Sequence, residues 1–276
     1  NGWIIRSFSG STTTVGSTTP EEAFTGTLSG QEGAIITGKS ANANITIFNG
    51  NFEGRDNAVI FDNGTAGCTG NDITINGGTF IGGITSGGYI ACGIYAANNN
   101  TWNVNGGTFN ITGGAGIVQR AGVVNVKDGV VINCTGTAVG KVGDKATALP
   151  SAALVYDNTN PNYPGESTNA VMNVTGGQFT SAVGAVNAMN ATTNTHIAIS
   201  GGEFSSAVPA ECCAEGFAPV TTPNSDGKYV VDEYGVLLTN ISKNLTYHDT
   251  TALTPVVNEG TSTGITKWTA GQTATV

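Results

Sequence analysis

Charged residues are scarce in this chain: they make up 11 % of its 276 residues, against roughly 25 % in an average soluble domain. No run of basic residues occurs, and 10 Lys and Arg against 19 Asp and Glu give a net charge of −9. Because such a surface repels phosphate backbones, nucleic acid is not expected as a partner. No stretch of about 18 apolar residues is present either, so the sequence predicts no membrane-spanning helix.

Further absences limit the chemistry. The chain has only two histidines and no Gly-x-Ser-x-Gly motif, so a Ser-His-Asp triad is not expected. The carboxylates are spread over turns, and neither a calcium-binding nonapeptide repeat nor a Cys-x-x-Cys pair occurs. Arg120 is expected to cap a repeat or to pair with a neighbouring Asp, the alternative being an electrophile of a lyase. The sequence therefore predicts no catalytic residue, no metal site and no cofactor.

The five cysteines leave two alternatives open. They are Cys68, Cys92, Cys134, Cys212 and Cys213. Cys212 and Cys213 are adjacent and cannot easily bond to each other without backbone strain. We expect either buried free thiols or one disulfide.

Glycine, threonine and asparagine are in excess: the chain contains 41 Gly, 40 Thr and 29 Asn. All three have low helix propensity, whereas Thr packs well on a pleated sheet and Asn and Gly accept the positive φ of tight turns. A hydrophobic fraction of 39 % is sufficient for a core. The composition thus predicts an all-β protein rather than a helical bundle, a Rossmann-type fold or a disordered chain.

One octapeptide recurs six times along the chain. Two clear copies are Ile73-Thr-Ile-Asn-Gly-Gly-Thr-Phe80 and Trp102-Asn-Val-Asn-Gly-Gly-Thr-Phe109, and a weaker one, Val124 to Val131, places Val131 at the position of the Phe. The second turn residues are separated by 28, 29, 22, 48 and 25 residues and are Gly50, Gly78, Gly107, Gly129, Gly177 and Gly202. In each copy two alternating apolar residues precede a bend, after which an aromatic or Val turns inward again.

A second apolar segment lies between successive octapeptides, at residues 59–61, 90–96, 117–118, 153–155 and 183–186. Two to three short strands per repeat predict the coil of a parallel β-solenoid with about six coils, in which each coil is buried by its neighbours. A β-sandwich is the alternative, but it would not require the same turn chemistry at the same phase six times. The sequence therefore predicts a right-handed parallel β-solenoid.

The predicted organisation has three parts: a polar N-terminal lead-in or cap (1–33), the solenoid (34–206) and a C-terminal β cap or small module (207–276). We interpret the interval of 48 residues as one coil with two lateral loops, 140–150 and 157–166, which are rich in Pro, Asn and Gly. Loops that project from a rigid scaffold commonly carry function.

The lateral loops supply the candidate ligand-binding residues, which are Asp144, Tyr156, Asp157 and Tyr163. A Tyr ring beside Asn and Asp is typical of a sugar platform, because the ring offers an apolar face and its neighbours bind hydroxyl groups. The alternative is that these side chains pack the loops onto the coil.

The repeats resemble those of pectate-lyase-like right-handed parallel β-helices, and the segments Gly113 to Arg120 and Ile199 to Ser206 support the likeness. More narrowly, residues 34–206 are similar to Gly-Gly-x-Phe repeat proteins of gut bacteria and their phages. The resemblance implies an extracellular fibre, virion decoration or bacterial adhesin that contacts host glycans or a surface receptor, and fibres of this type commonly form homotrimers. The low charge, the rod-like repeat and the lack of a catalytic constellation favour a non-enzymatic protein. A polysaccharide lyase or glycoside hydrolase, and a purely architectural protein, are the alternatives.

Overall fold

The fold is all-β with parallel sheets, as the composition predicts. The computed structural model describes residues 2–37, 40–62, 64, 66–83, 92–140, 148–157, 170–189 and 197–233. These residues form 23 strands and two short 3-10 helices, Pro20–Glu22 and Ala210–Cys212. All but two of the strands belong to one sheet of seven strands, here sheet A, or to one of fourteen, here sheet B.

Sheet A receives one strand from each successive repeat, and every pair of adjacent strands within it is parallel. In spatial order its strands are β1 (Trp3–Arg6), β4 (Gly33–Ile36), β7 (Ala58–Asp62), β10 (Cys92–Ala96), β12 (Ile117–Gln119), β16 (Leu154–Asp157) and β19 (Val186–Met189).

Sheet B has two columns of parallel strands. The first column contains β2 (Thr12–Val15), β5 (Asn44–Ile47), β8 (Asp72–Ile75), β11 (Thr101–Ile111), β13 (Val123–Cys134), β17 (Val171–Val174) and β20 (Ile197–Ile199). The second contains β3 (Thr27–Gly30), β6 (Asn51–Gly54), β9 (Thr79–Gly82), β18 (Gln178–Ser181) and β21 (Glu203–Phe204). β11 and β13 are long enough to run through both columns.

The chain visits sheet A, the first column and the second column in turn, and then repeats the cycle. The octapeptides supply the two columns of sheet B, and the intervening apolar segments supply sheet A, as the spacing predicts. Among the described residues of the long interval, β16 is the one strand that joins sheet A between β12 and β19, in agreement with a single repeat there. The first lateral loop contains the antiparallel pair β14 (Val139–Gly140) and β15 (Leu149–Pro150).

The sheets begin earlier than the octapeptide pattern indicates. Residues expected to form a polar lead-in provide β1, β2 and β3, which pair in register with β4, β5 and β6. The pattern is concealed because Thr13 holds the inward position that Ile45 holds in the next repeat. The described chain therefore contains one more repeat than predicted.

The main core lies between the two sheets and consists of stacked rows of apolar side chains. Ring centroids are 5.0 Å apart for Phe52 and Phe80 and 4.5 Å apart for Phe80 and Phe109, within the range in which offset aromatic stacking is favourable. Trp102 is fully buried, as expected of a residue that opens a core strand.

A second apolar cluster covers the outer face of sheet A. Leu149, near the end of the first lateral loop, and Ala152, which follows the loop, pack with Cys92, Val118 and Val155 in this cluster. Burial raises the pKa of the Cys92 thiol to about 12, and Cys134 and Cys212 are buried free thiols with pKa values raised in the same way to about 12. These thiols are therefore protonated at neutral pH and poorly reactive.

Antiparallel strands close the C-terminal end of sheet B. β23 (Tyr229–Glu233) pairs with β21 and with β22 (Phe217–Pro219), as a β cap requires. Residues 234–276 lie outside the described part. No helix in the described part has the length and apolar character needed to cross a membrane.

Candidate functional site

The sequence predicted that Tyr156 and Asp157 lie in an exposed loop, but the structure places them elsewhere. Both belong to β16, where Tyr156 is 3 % exposed and Asp157 is 1 % exposed. Burial also raises the pKa of the Tyr156 phenol. Neither side chain offers an open face to a sugar, so the packing alternative describes them better. Asp144 and Tyr163, the other two candidates, lie outside the described residues.

Asp157 instead forms a buried ion pair with Arg120, and both side chains are fully shielded from solvent. The Arg120 guanidinium lies 5.6 Å from the centroid of the Tyr95 ring, within the range of a cation–π interaction. This confirms the expectation that Arg120 pairs with a neighbouring Asp. The pair fixes the end of β16 to β12 and is part of the scaffold.

A different candidate site lies at an irregular corner between the two columns of sheet B. Val104 pairs with Val126 and Gly106 with Gly129, so one residue of β11 faces two residues of β13, Lys127 and Asp128. This is the geometry of a β-bulge, which re-aims a side chain and often lies beside a functional site.

The extra residue changes the alignment of the fourth octapeptide with the other copies. Ile132, not Val131, pairs with Phe109 and Phe179, and it is fully buried whereas Val131 is half-buried. The prediction that Val131 takes the position of the Phe was wrong by one residue, because an alignment based on the glycine does not reveal the insertion at Asp128.

Beside this bulge lies a groove of about 360 Å³. Its lining combines the bulge, the corners of the two following repeats and the wall provided by β23. The lining residues are Asp128, Gly176, Gly177, Gln178, Gly202, Glu203, Val230 and Val231.

Glycine at the corners keeps this groove open. A Cβ atom on Gly176 would collide with the Asp128 carboxylate, so Asp128 can lie across the next corner only because that residue is Gly. Gly177 and Gly202 have φ values of +110° and +109°, a conformation that L side chains rarely adopt. The floor of the groove is consequently backbone.

The chemistry of the lining is that of a hydrogen-bonding surface for hydroxyl groups. The Asp128 and Glu203 carboxylates accept hydrogen bonds, and the Gln178 amide both donates and accepts. Val230 supplies an apolar part of the wall, whereas the neighbouring Val231 packs in the main core. Among the residues that the structure describes, no group of three or more His, Cys, Asp or Glu is positioned to hold a metal ion.

Gln178 and Glu203 also end a longer row on the outer surface of sheet B. They occupy the seventh position of the octapeptide, and the row continues in register through Val131, Thr108, Thr79, Asn51 and Thr27. The groove is therefore the end of a row of side chains that carries mainly hydroxyl and amide groups.

A parallel row of amides lies on the first column of sheet B. Asn173 donates to Asn125 over 2.9 Å, Asn125 donates to Asn103 over 3.0 Å, and Asn103 donates to Asp72 over 3.3 Å. Asn103 and Asn125 each use one N–H and one oxygen lone pair within this ladder. The second N–H and lone pair stay available to a ligand.

Sequence reasoning missed the groove, although one signal was present. The seventh octapeptide position changes from Thr79 and Thr108 to Gln178 and Glu203 only in the last two copies. The wall formed by β23 could not be found in this way, because it depends on a chain reversal after the repeats end. The chain matches no family model, no curated protein and no solved structure.

Proposed function

We propose that the parallel sheets are the faces of a right-handed β-solenoid. The cyclic order of sheet A and the two columns of sheet B supports this, as does the parallel register of successive repeats. Right-handed crossovers account for about 98 % of parallel connections. At about 4.8 Å per strand, seven repeats give a rod segment roughly 30 Å long.

We further propose that the chain is a non-enzymatic extracellular protein, a virion fibre or decoration or a bacterial surface adhesin, that contacts glycans. The observation that carries this is the in-register row of mainly hydroxyl and amide side chains that ends in the groove at Asp128 and Glu203. Repeated donors and acceptors at strand spacing suit an extended polyhydroxylated ligand better than a compact one.

The bulge favours a binding role over a purely architectural one. A rod needs only regular corners, whereas the extra residue at Asp128 breaks the one-to-one pairing of β11 with β13. A local irregularity of this kind is more readily explained by the side chain that it presents.

The second candidate function is glycoside hydrolysis. The specific observation is that Asp128 and Glu203 line the same groove, and glycoside hydrolases generally use a pair of carboxylates. This alternative predicts release of new reducing ends, which a binding protein does not produce.

Glycan binding is tested on an array that includes bacterial surface polysaccharides, with the isosteric variants Asp128→Asn and Glu203→Gln. Glu53→Gln is the matched control, because Glu53 lies in the same column at the opposite end of the sheet. We expect retention by the wild type and the control and at least a tenfold loss in both groove variants. Absence of any glycan or surface-protein binding by the wild type would favour the architectural alternative, and reducing-end release would favour the enzyme.

A further inference from the structure

The groove beside the bulge carries negative charge that the described part of the protein does not neutralise. Among its lining residues only Asp128 and Glu203 are charged, and a carboxylate is negatively charged at neutral pH. The one ion pair found among the described residues joins Arg120 to Asp157, both fully shielded from solvent. Neither groove carboxylate therefore has a basic side chain of that part of the chain at ion-pairing distance.

The lysines that flank the groove are placed differently. Lys228, just before β23, donates from Nζ to the Thr180 hydroxyl over 3.3 Å. Thr180 follows Gln178 by two residues in β18, so this ammonium group lies beside the groove and not among its lining residues. Lys127 adjoins Asp128 in the bulge and is exposed. Within the described part of the chain, the two carboxylates thus remain the charges that line the groove.

The site does not depend on these charges for its assignment. The concave surface, the floor of glycine backbone and the row of hydroxyl and amide groups that ends here support a ligand with many hydroxyl groups. The charges decide which ligand of that kind fits best. A hydrogen bond between two ionised partners is roughly twice as strong as one between neutral groups, whereas a sugar that carries a carboxylate, sulfate or phosphate would be repelled.

We propose that the groove selects glycans with free amino groups, that is, amino sugars that are not N-acetylated. The inference rests on the proposed glycan binding and names the class of glycan at the same site. The protonated amine donates hydrogen bonds to the Asp128 and Glu203 carboxylates and offsets their charge, which no hydroxyl group can do. The Gln178 amide binds a hydroxyl group of the same sugar, and Val230 contacts the apolar face of its ring.

A lysine-rich peptide also presents ammonium groups, but the rest of this surface suits it less well. The row that leads away from the groove includes Thr79 and Thr108, and the adjacent ladder leaves an N–H and a lone pair of Asn103 and of Asn125 available. Hydroxyl groups on successive sugars can bind to such groups, whereas the methylene chain of a lysine cannot. The occupant that fits both the charge and the row is therefore an amino sugar.

The test compares an oligomer of glucosamine with the same oligomer after acetylation of its amines, by calorimetry at a slightly acidic pH at which the free amines are protonated. We expect the wild type to bind the free-amine oligomer at least about tenfold more tightly, because only this ligand forms hydrogen bonds between ionised partners. Asp128→Asn and Glu203→Gln are each expected to lower this ratio at least about threefold. Glu53→Gln, which removes one negative charge from the same column at the opposite end of the sheet, is the matched control and should leave the ratio unchanged.

Three outcomes would overturn the amino-sugar preference and leave glycan binding intact. The first is equal affinity of the wild type for the two oligomers. The second is a ratio that falls as much in Glu53→Gln as in Glu203→Gln, which would indicate general attraction to a chain of net charge −9. The third is an oligolysine that binds as tightly as the free-amine oligomer.

The failure of this inference can also be told apart from the failure of the proposed function. If neither oligomer binds but another glycan on the array does, the amino-sugar preference is wrong and the proposed function stands. If no glycan binds, both are wrong. Circular dichroism of each variant establishes that it is folded.

Discussion

Asn98 donates a hydrogen bond of 2.6 Å from Nδ2 to Oδ1 of Asp62, and both side chains are completely buried. Asn100 donates to the other carboxylate oxygen over 2.8 Å. All of these donors are neutral, so they lower the pKa of Asp62 by less than burial raises it, and the pKa lies at about 7. The interior of the fold therefore contains a carboxyl group that changes charge near neutral pH.

We predict that the free energy of unfolding decreases as the pH rises from about 4 to about 7. Asp62 in the unfolded chain ionises near 3.8, whereas in the folded protein it keeps its proton up to about 7. The stability is fully present below the lower value and is lost as the pH passes through the higher one. The difference of about three pKa units corresponds to a loss on the order of 4 kcal/mol.

Denaturant unfolding of the wild type and of Asp62→Asn at several pH values measures this effect. In the variant the new amide cannot ionise, and Oδ1 of Asn98, which has no hydrogen-bond partner, is available to accept from it. Between pH about 4 and about 7, we expect the free energy of unfolding to decrease less in the variant than in the wild type. The difference between the two decreases is the contribution of Asp62. Identical pH profiles for the two proteins would contradict the assignment.

Gly176→Ala is expected to destabilise the protein by about 1–3 kcal/mol, because the added methyl group overlaps the Asp128 carboxylate. Asp128→Gly introduced into this variant should recover only part of the loss, since the Asp128 Cα also lies 2.9 Å from the new Cβ position. Gly83→Ala is the control, because its nearest contact is 3.9 Å away. Denaturant titration of all four variants, including Asp128→Gly alone, measures the coupling; strict additivity would show that the two residues are not in contact.

Asn125→Ala is expected to cost about 1–2 kcal/mol, because two part-buried hydrogen bonds of the amide ladder are lost, each worth roughly 0.5–1 kcal/mol net. Asn110→Ala removes an amide that accepts one such bond, from Asn133 over 3.1 Å, and should cost about half as much. Thermal and denaturant unfolding distinguish the two values. If Asn125→Ala and Asn110→Ala destabilised the protein equally, the second hydrogen bond of Asn125 would contribute nothing to the free energy of unfolding.

The regular part of the fold could be predicted because its signal is local. Alternation such as Ile73-Thr-Ile75 and the bend at Gly78 specify which side chains turn inward, and the structure buries both isoleucines completely. The same logic failed at Thr13, where a polar residue occupies an inward position, and at Asp128, where an extra residue shifts the register. Neither exception changes the composition of its segment enough to be recognised.

The candidate site could not be predicted for a different reason. Tyr156 and Asp157 follow an apolar stretch and precede a loop, which indicates exposure. Tyr156 nevertheless packs in the main core, and sheet A is also covered on its outer face, where Leu149 packs in the second apolar cluster. The groove likewise needs Val230 and Val231 to fold back against residues that are distant in sequence. Burial and concavity in both places depend on contacts between separate segments, which a local pattern does not contain.

Arg120→Met is expected to be among the most destabilising single substitutions, because it leaves the Asp157 carboxylate buried without its cation. Removing one partner of a buried ion pair typically costs about 3–5 kcal/mol. The double variant Arg120→Met/Asp157→Leu removes both charges and keeps similar side-chain volumes, so it should regain most of that loss. Denaturant unfolding of the four proteins in the cycle gives the coupling energy. A double variant no more stable than Arg120→Met would mean that the lost packing of Arg120 on Tyr95 dominates the cost, and not the burial of the Asp157 charge without its cation.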